Sequence, residues 1–431
     1  MSERTSVTQV TQIGAESSKG TAVAALKILQ ATSIEPAIKP AIGSFRPFGQ
    51  KFPTLAVFGR EWTEAKITGV LSYSDLVYLL SSLLAYAAPV RQESTAAYKW
   101  THTPAQSAED TVKTYTVEHG SLVRAGRFDY GIVNSLSMEF DRRNDTIPID
   151  GSMLGQAYED SEQLSTNEQV SLIKDGTVTG GTFTLSFGAQ TTAAIAYNAT
   201  AAAVQAALEL LSTIGSGNVY CTGGPCPSTA VVIEFRYDLA QTDVGAITVG
   251  NGSITGGGTM TVTVSTAGVA PSAVAAVPVS PSDVDIYLDD AYDELGDTKL
   301  TRAFRANLSI SERFGPMWTI NSAVSGFAEA VELAPKGEFT LLVEADSTGM
   351  GLLTPMRAGD KRFIRVIAIG EVIESTYYYT AQFDFCGTII DVKEFSDEDG
   401  VYAIEYTFQL TYDSDLTYAI SAEVTNELTT L

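Results

Sequence analysis

Seven carboxylates crowd the stretch DVDIYLDDAYDELGDTKLTRAF, at Asp283, Asp285, Asp289, Asp290, Asp293, Glu294 and Asp297. Hard oxygen ligands at such density are what Ca²⁺ requires. The Asp ladder of an EF-hand loop is missing, however, because Asp283 and Asp285 run on into Ile, Tyr and Leu. Three readings stay open: a calcium loop, a strand and loop whose acids face solvent, and an electrostatic surface or contact with another subunit. Other chemistry is scarce. The two histidines, His102 and His119, show no paired metal-ligand spacing, and His102 in the polar stretch KWTHTPAQSAED reads as a solvated loop residue. Cys221 and Cys226 in CTGGPCP read as two reduced thiols at a loop, with a disulfide formed after release from the cell as the alternative. Zinc would need two further ligands, and Cys386 stands far off on the apparent strand AQFDFCGTII. With no GxSxG elbow, Walker loop or GxGxxG turn, no catalytic, cofactor or metal site is assigned, and the chain is expected not to be an enzyme.

The 431 residues carry a net charge of −24 and are 45% hydrophobic, enough apolar material for two or three cores. A chain this acidic repels nucleic acid and anionic membranes. Residues 281–431 hold most of that acidity, with 27 acidic against 10 basic side chains. The N-terminal stretch MSERTSVTQVTQIGAESSKG contains no apolar run of signal-peptide length, so cytosolic synthesis is expected. Abundant Gly, Tyr, Phe, Val and Thr tilt the fold class to mainly β.

The elements that would position these residues are legible in patches. LVYLLSSLLAYAAPV at 76–90 is too short to cross a bilayer and reads as a buried helix, starting near Ser72 or Ser74 and running to about 86. It is apolar nearly all round, so a sheet is expected on one side and a neighbouring subunit on the other. In VYAIEYTFQLTYD, Tyr402, Ile404, Tyr406, Phe408, Leu410 and Tyr412 share a core face, while Glu405, Thr407, Gln409 and Thr411 share a wet one. NSLSMEFDRR (134–143) echoes ANLSISERFG (306–315), which suggests a repeated two-layer design. Between these parts the charge nearly vanishes. Residues 175–269 read as an inserted small α+β module, with Phe183, Leu185 and Phe187 on one strand face and a helix from Asn198 or Thr200 burying Val204, Ala207, Leu208 and Leu211. The host domain is then discontinuous, 1–174 and 270–431, with NEQVSLI and VPVSPSDVDIYLDD forming one extended segment once the module is removed.

Several phrases together resemble the tail tube (major tail) proteins of long-tailed bacteriophages, particularly those of actinobacteria: GAESSKGTAVAALKIL, FRPFGQKFPT, EWTEAKITGVLSYSDLVYLLSSLL, VDIYLDDAYDELGDTKLTRAFRANLSISERFGPMWTINS and GVYAIEYTFQLTYDSD. The central AIAYNATAAAVQAALELL with GNVYCTGGP resembles an insertion module that recurs in such tails. The resemblance covers nearly the whole chain. It implies a tail-tube-type β-sandwich or barrel-forming domain with a flanking α-helix, six copies to a ring, and rings stacked into a tube that conducts DNA. It also implies other tail proteins as partners (tape measure, tail terminator, distal tail), no cofactor, no membrane insertion, and a virion tail assembled in the host cytoplasm.

On that reading the acids have a use. Duplex DNA carries about one charge per 1.7 Å, and each free lysine or arginine would be a sticking point. An acidic wall repels the duplex over a screening length of about 8 Å. Asp384, Asp391 and Glu405 are the lumen-lining candidates. Asp289, Asp290, Asp293 and Glu294, in an expected hairpin loop, are candidates for reaching an adjacent subunit or ring, where Arg142, Arg143, Arg302, Arg305 or Arg313 would meet them. The module is expected to project outwards. The alternative is a capsid-decorating or cell-surface structural protein with Ig-like modules; a glycosidase with paired carboxylates is the enzymatic rival.

Overall fold

The computed structural model describes residues 6–122, 124–159, 164, 166–320 and 326–431. Its strands divide into a large host sheet system and a separate module, each around its own apolar cluster. In the N-terminal half of the host the elements are β1 (Val10–Ala15), β2 (Thr32–Phe45), β3 (Leu55–Val70), α1 (Asp75–Leu83), β4 (Tyr115–Gly120), β5 (Ala125–Asp141) and β6 (Pro148–Gly155). After the module come β7 (Val284–Asp289), β8 (Ala303–Ser311), β9 (Lys336–Glu344), the short helices α2 (Ser347–Gly351) and α3 (Leu353–Ala358), β10 (Lys361–Glu374), β11 (Tyr377–Val392) and β12 (Val401–Leu410). The chain is mainly β.

The two halves have the same topology. In the first, antiparallel pairing runs β2-β3-β6-β5, with β5 continuing to β4 and β4 to β1. In the second it runs β8-β9-β12-β11, with β11 continuing to β10 and β10 to β7. A helix follows β3 in one half and β9 in the other. Even the irregularities coincide. The β5–β6 ladder skips a residue between Val133 and Ser135, and the β11–β12 ladder skips one between Ile389 and Asp391. Just before each bulge stands a glycine with little room for a side chain: a Cβ at Gly131 would lie 2.8 Å from the Tyr115 carbonyl oxygen, and one at Gly387 would lie 3.1 Å from the Phe408 Cβ.

The echo read between residues 134–143 and 306–315 therefore has a different meaning. These two strands, β5 and β8, are not equivalent; they pair with each other across the junction of the halves, with Ser137 opposite Ser309. The true counterparts are β5 with β11 and β2 with β8.

Helix α1 is buried at all nine residues within the single chain. The expectation that a second subunit would cover one side is corrected. The host core is two-layered, and α1 lies inside it with Tyr115 donating to the Tyr78 carbonyl and Ser82 accepting from Val133 N–H. Its C-terminal end is held by Arg313, which is 3% exposed and donates to the carbonyls of Leu83 at 3.1 Å and Leu84 at 3.4 Å. A cation there also meets the negative end of the helix dipole. The same guanidinium ion-pairs with Asp110 at 2.5 Å and with Glu332. His102 is corrected too. It is fully buried on the strand Tyr98–His102, donating from Nδ1 to the Ala85 carbonyl at 2.8 Å, because that strand pairs with Ile420–Asn426 beneath the core.

The module begins earlier than the charge pattern indicates. Gln169–Asp175, expected in the host but for its last residue, is an inner strand of a module sheet, between Val231–Phe235 and Thr259–Thr266. Val170 and Leu172 are buried in the module core, so NEQVSLI does not continue into VPVSP. A second small sheet is centred on Gly180–Phe187, and the helix Ala201–Glu209 packs Val204 and Leu208 into the space between, with Thr200 capping its first turn. Entry and exit lie side by side, since Val269 N–H donates to the Thr166 carbonyl at 3.0 Å.

The buried Arg313 and His102 both bear on stability. Arg313→Met leaves Asp110 and Glu332 without their cation and should lose about 3–5 kcal/mol in urea unfolding; a change under about 1 kcal/mol would refute the strut. Burial pushes the His102 imidazole down to about 4 from its ordinary 6.5. Below pH 6.5 the unfolded chain takes up a proton that the folded chain refuses, so stability should fall towards pH 4 by roughly 3 kcal/mol. His102→Gln should flatten that part of the pH–stability curve, and an unchanged slope would count against it.

Candidate functional site: the polar face of the host sheet

Pairing β5 with β8 joins both quartets into one sheet in the order β2-β3-β6-β5-β8-β9-β12-β11. Period-two alternation then gives it two unlike faces. One is core: Ile34, Ile67, Met138, Leu308, Leu341 and Tyr406 are all buried. The other is polar across the middle of the strands and apolar at one end, where Ile132 and Leu154 pack under Phe314 and Phe327; Leu342 lies buried between Arg305 and Glu405. Lys66 lies opposite Ser152, Ser137 opposite Asp150 on one side and Ser309 on the other, Asn307 opposite Thr340, and Thr340 opposite Thr407.

The lysines on and beside this face, and Arg305 with them, are held by acids. Lys39 lies 3.3 Å from Glu64, Lys66 lies 3.5 Å from Asp150, and Arg305 and Lys393 lie 3.3 and 2.5 Å from Glu405. Farther out, where β2 and β3 leave the sheet, Arg60 stacks over the Trp62 and Trp318 rings. Burial pushes the Glu405 carboxyl up, but its bonds to Lys393 and Arg305 outweigh that and hold it below the ordinary range. Glu139, Glu338 and Asp391 add further acid to the same face, with Asp391 exposed and paired in register with Thr407. A surface of this kind offers a phosphate hydroxyls and carboxylates, with its ammonium groups already engaged.

Among the lumen candidates, Glu405 and Asp391 therefore lie on the polar face, and Asp384 does not. It is 7% exposed, on the part of β11 that pairs with β10, where Arg365 clasps it through two bonds of 2.7 and 2.9 Å and Gln382 adds a third. The strand passes from one sheet to the other at Gly387, which reverses the use of the residues before it. At the start of β12, Tyr402 is 76% exposed instead of in the core, because the sheet beneath ends there.

The acidic loop divides as well. Residues 289–298 do form a hairpin-like return, with Leu288 N–H bonded to the Thr298 carbonyl and Leu300 N–H to that of Ile286. Asp289 is the loop's internal clasp and reaches no neighbour: it is 2% exposed and accepts from Gly296 and Thr298 N–H, both at 2.8 Å. Asp290 pairs with Arg362 at 3.1 Å, while Asp293 and Glu294 are exposed. Most of the arginines expected to meet this loop are engaged elsewhere in the chain. Arg143 pairs with Asp141 and Glu398, Arg302 with Glu344, Arg305 with Glu405, and Arg313 is buried; Arg142 is exposed. No cluster of three or more His, Cys, Asp or Glu that could hold a metal ion occurs among the described residues.

Cys221, Cys226 and Cys386 are free and buried. Burial pushes the Cys221 and Cys386 thiols up to about 12 and about 11, and raises that of Cys226. Thiolate is the reactive form. All three should resist a thiol reagent at about pH 8 in the native protein and react together on unfolding; rapid native labelling of any one would contradict the packing.

No family model and no curated protein matches the chain. The sequence signal that marks the duplication is short: Phe128-Asp129-Tyr130-Gly131 before one bulge and Phe383-Asp384-Phe385-Cys386-Gly387 before the other.

Proposed function

We propose that this protein is a structural subunit of a phage tail tube, assembling as stacked rings whose inner wall is the polar face of the eight-stranded sheet. The observation that carries the reading is that face itself. Across the middle of the strands it is hydroxyl- and acid-rich, and Lys39, Lys66, Arg305 and Lys393 on or beside it each lie against a carboxylate. Duplex DNA would be kept off such a wall and would find little to hold it. Exposed apolar surface gives a second support. The hairpin of β2 and β3 extends beyond the core and exposes Ile42, Phe45, Phe48, Phe52 and Leu55. Contiguous apolar surface of this sort marks a contact with another chain. The module has its own core and adjoining chain ends, so it decorates the outside without forming part of the wall.

Negative-stain electron microscopy of the purified protein over a range of concentration and salt tests the reading. Hollow stacked rings are expected, and deletion of residues 167–268 should leave them intact. Ser137→Lys with Ser309→Lys should turn tubes that ignore duplex DNA at physiological salt into tubes that retain it. Particles that never form rings, or parent tubes that bind DNA as tightly as the lysine variant, would overturn it in favour of a decorating or surface protein.

A further inference from the structure

Residues 241–244, which follow the module strand Val231–Phe235, span the gap between module and host. At one end the Gln241 side chain donates to the Gln12 side chain on β1, 3.4 Å away. The rest of the loop is tied to the first residues of the module: Gln241 N–H donates to the Asn167 side chain at 3.1 Å, and Val244 N–H to the Glu168 carboxyl at 2.9 Å. The way out of the module belongs to the same joint. Gly268 packs flat against the loop, where a Cβ would stand 1.9 Å from the Thr242 carbonyl oxygen, and Val269 N–H closes onto Thr166. The loop therefore braces the crossing at a second point, and entry, exit and brace all meet at Glu168.

What meets Glu168 there is a second acid. Glu168 is 1% exposed, and the Val244 N–H that it accepts brings the preceding residue, Asp243, to its side. The Asp243 side chain is exposed and lies within hydrogen-bonding reach of the Glu168 carboxyl. Two ionised carboxylates have no hydrogen to share, so one of the pair must carry a proton for the contact to bind. Burial and the Asp243 charge push the Glu168 carboxyl above its ordinary 4.5, and the N–H groups of Val244 and Gly268 offset this only in part. The next charges are already balanced. Glu234 accepts from the Asn167 side chain and is paired with Arg236 at 2.7 Å, while the host presents the uncharged Gln12.

We propose that residues 241–244 form an acid-dependent brace: with a proton between Glu168 and Asp243 the loop is clasped and the module is fixed against β1, and loss of that proton to solvent turns Asp243 outwards, loosens the loop and frees the module to swing about the Thr166–Val269 crossing. A carboxyl raised on folding adds stability that is complete below its unfolded value and is lost as pH rises through the folded one. The brace is therefore closed in acid and opens as pH rises above the ordinary carboxylate range. This device is independent of what the host sheet encloses.

Spin labels on the full-length protein test it. Thr263 in the module and Asp145 in the host are exposed, whereas the native cysteines are buried, so Thr263→Cys with Asp145→Cys takes two labels. Double electron–electron resonance is recorded in EDTA, on labelled chains diluted into unlabelled ones, with circular dichroism showing the fold intact at each pH. The distance distribution should be narrow at pH 4.5 and broaden about twofold by pH 8, as a module released from its brace gains freedom. Glu168→Gln keeps a donor for Asp243 and should stay narrow at both. Gly268→Ala, which forces Thr242 away, should be broad at both. A parent distribution whose width ignores pH overturns the proposal. So does a broadening that Glu168→Gln fails to suppress, or a Gly268→Ala distribution that stays narrow.

Discussion

The backbone ladder between β5 and β8 makes one molecule out of two halves. Its six residue pairs carry Leu136, Met138 and Phe140 past Ile310, Leu308 and Ala306, and so fuse two apolar layers into one core. Backbone groups at such a depth must be paired, and neither half could present this edge to water at the same place without loss. The long strand β5 makes the joint by serving two sheets in turn, and the bulge near Asn134 sets the change of direction.

From that joint the contrast of faces follows. Once the core side is filled by α1 and the second sheet layer, the opposite side of eight strands is left in common, and across the middle of the strands it is polar. Arg313 secures the arrangement from behind, because one buried guanidinium holds the end of α1, Asp110 and Glu332 at once. Replacing such a buried cluster with apolar groups can be neutral, whereas removing one member is not. The cluster is therefore a fastening whose parts stand or fall together.

What was legible in the sequence was whatever differs between two sides of one element. Alternation in residues 403–410 and 134–140, and the all-round apolar character of 75–83, marked their burial because side-chain polarity reports solvent directly. Residues whose role depends on a distant partner were not legible. His102 stands among polar neighbours yet is covered by a strand more than three hundred residues away, and Asp289 and Asp384 look like their exposed neighbours until Gly296 and Arg365 are brought to them. Gln169–Asp175 fits either sheet by pattern alone. The duplication was hidden for a related reason: equivalence between the halves resides in register, bulge position and connection order, and very few side chains repeat.

The hydrogen-bonded crossing at Thr166 and Val269 has a mechanical consequence. Two chain segments that leave the host side by side form a swivel with almost no lever arm. Drag on the module is delivered at that crossing and at Gln12, which accepts from the Gln241 side chain, and is not spread along the strands. The module can be buffeted or exchanged for another of different shape while the host sheet keeps its shape.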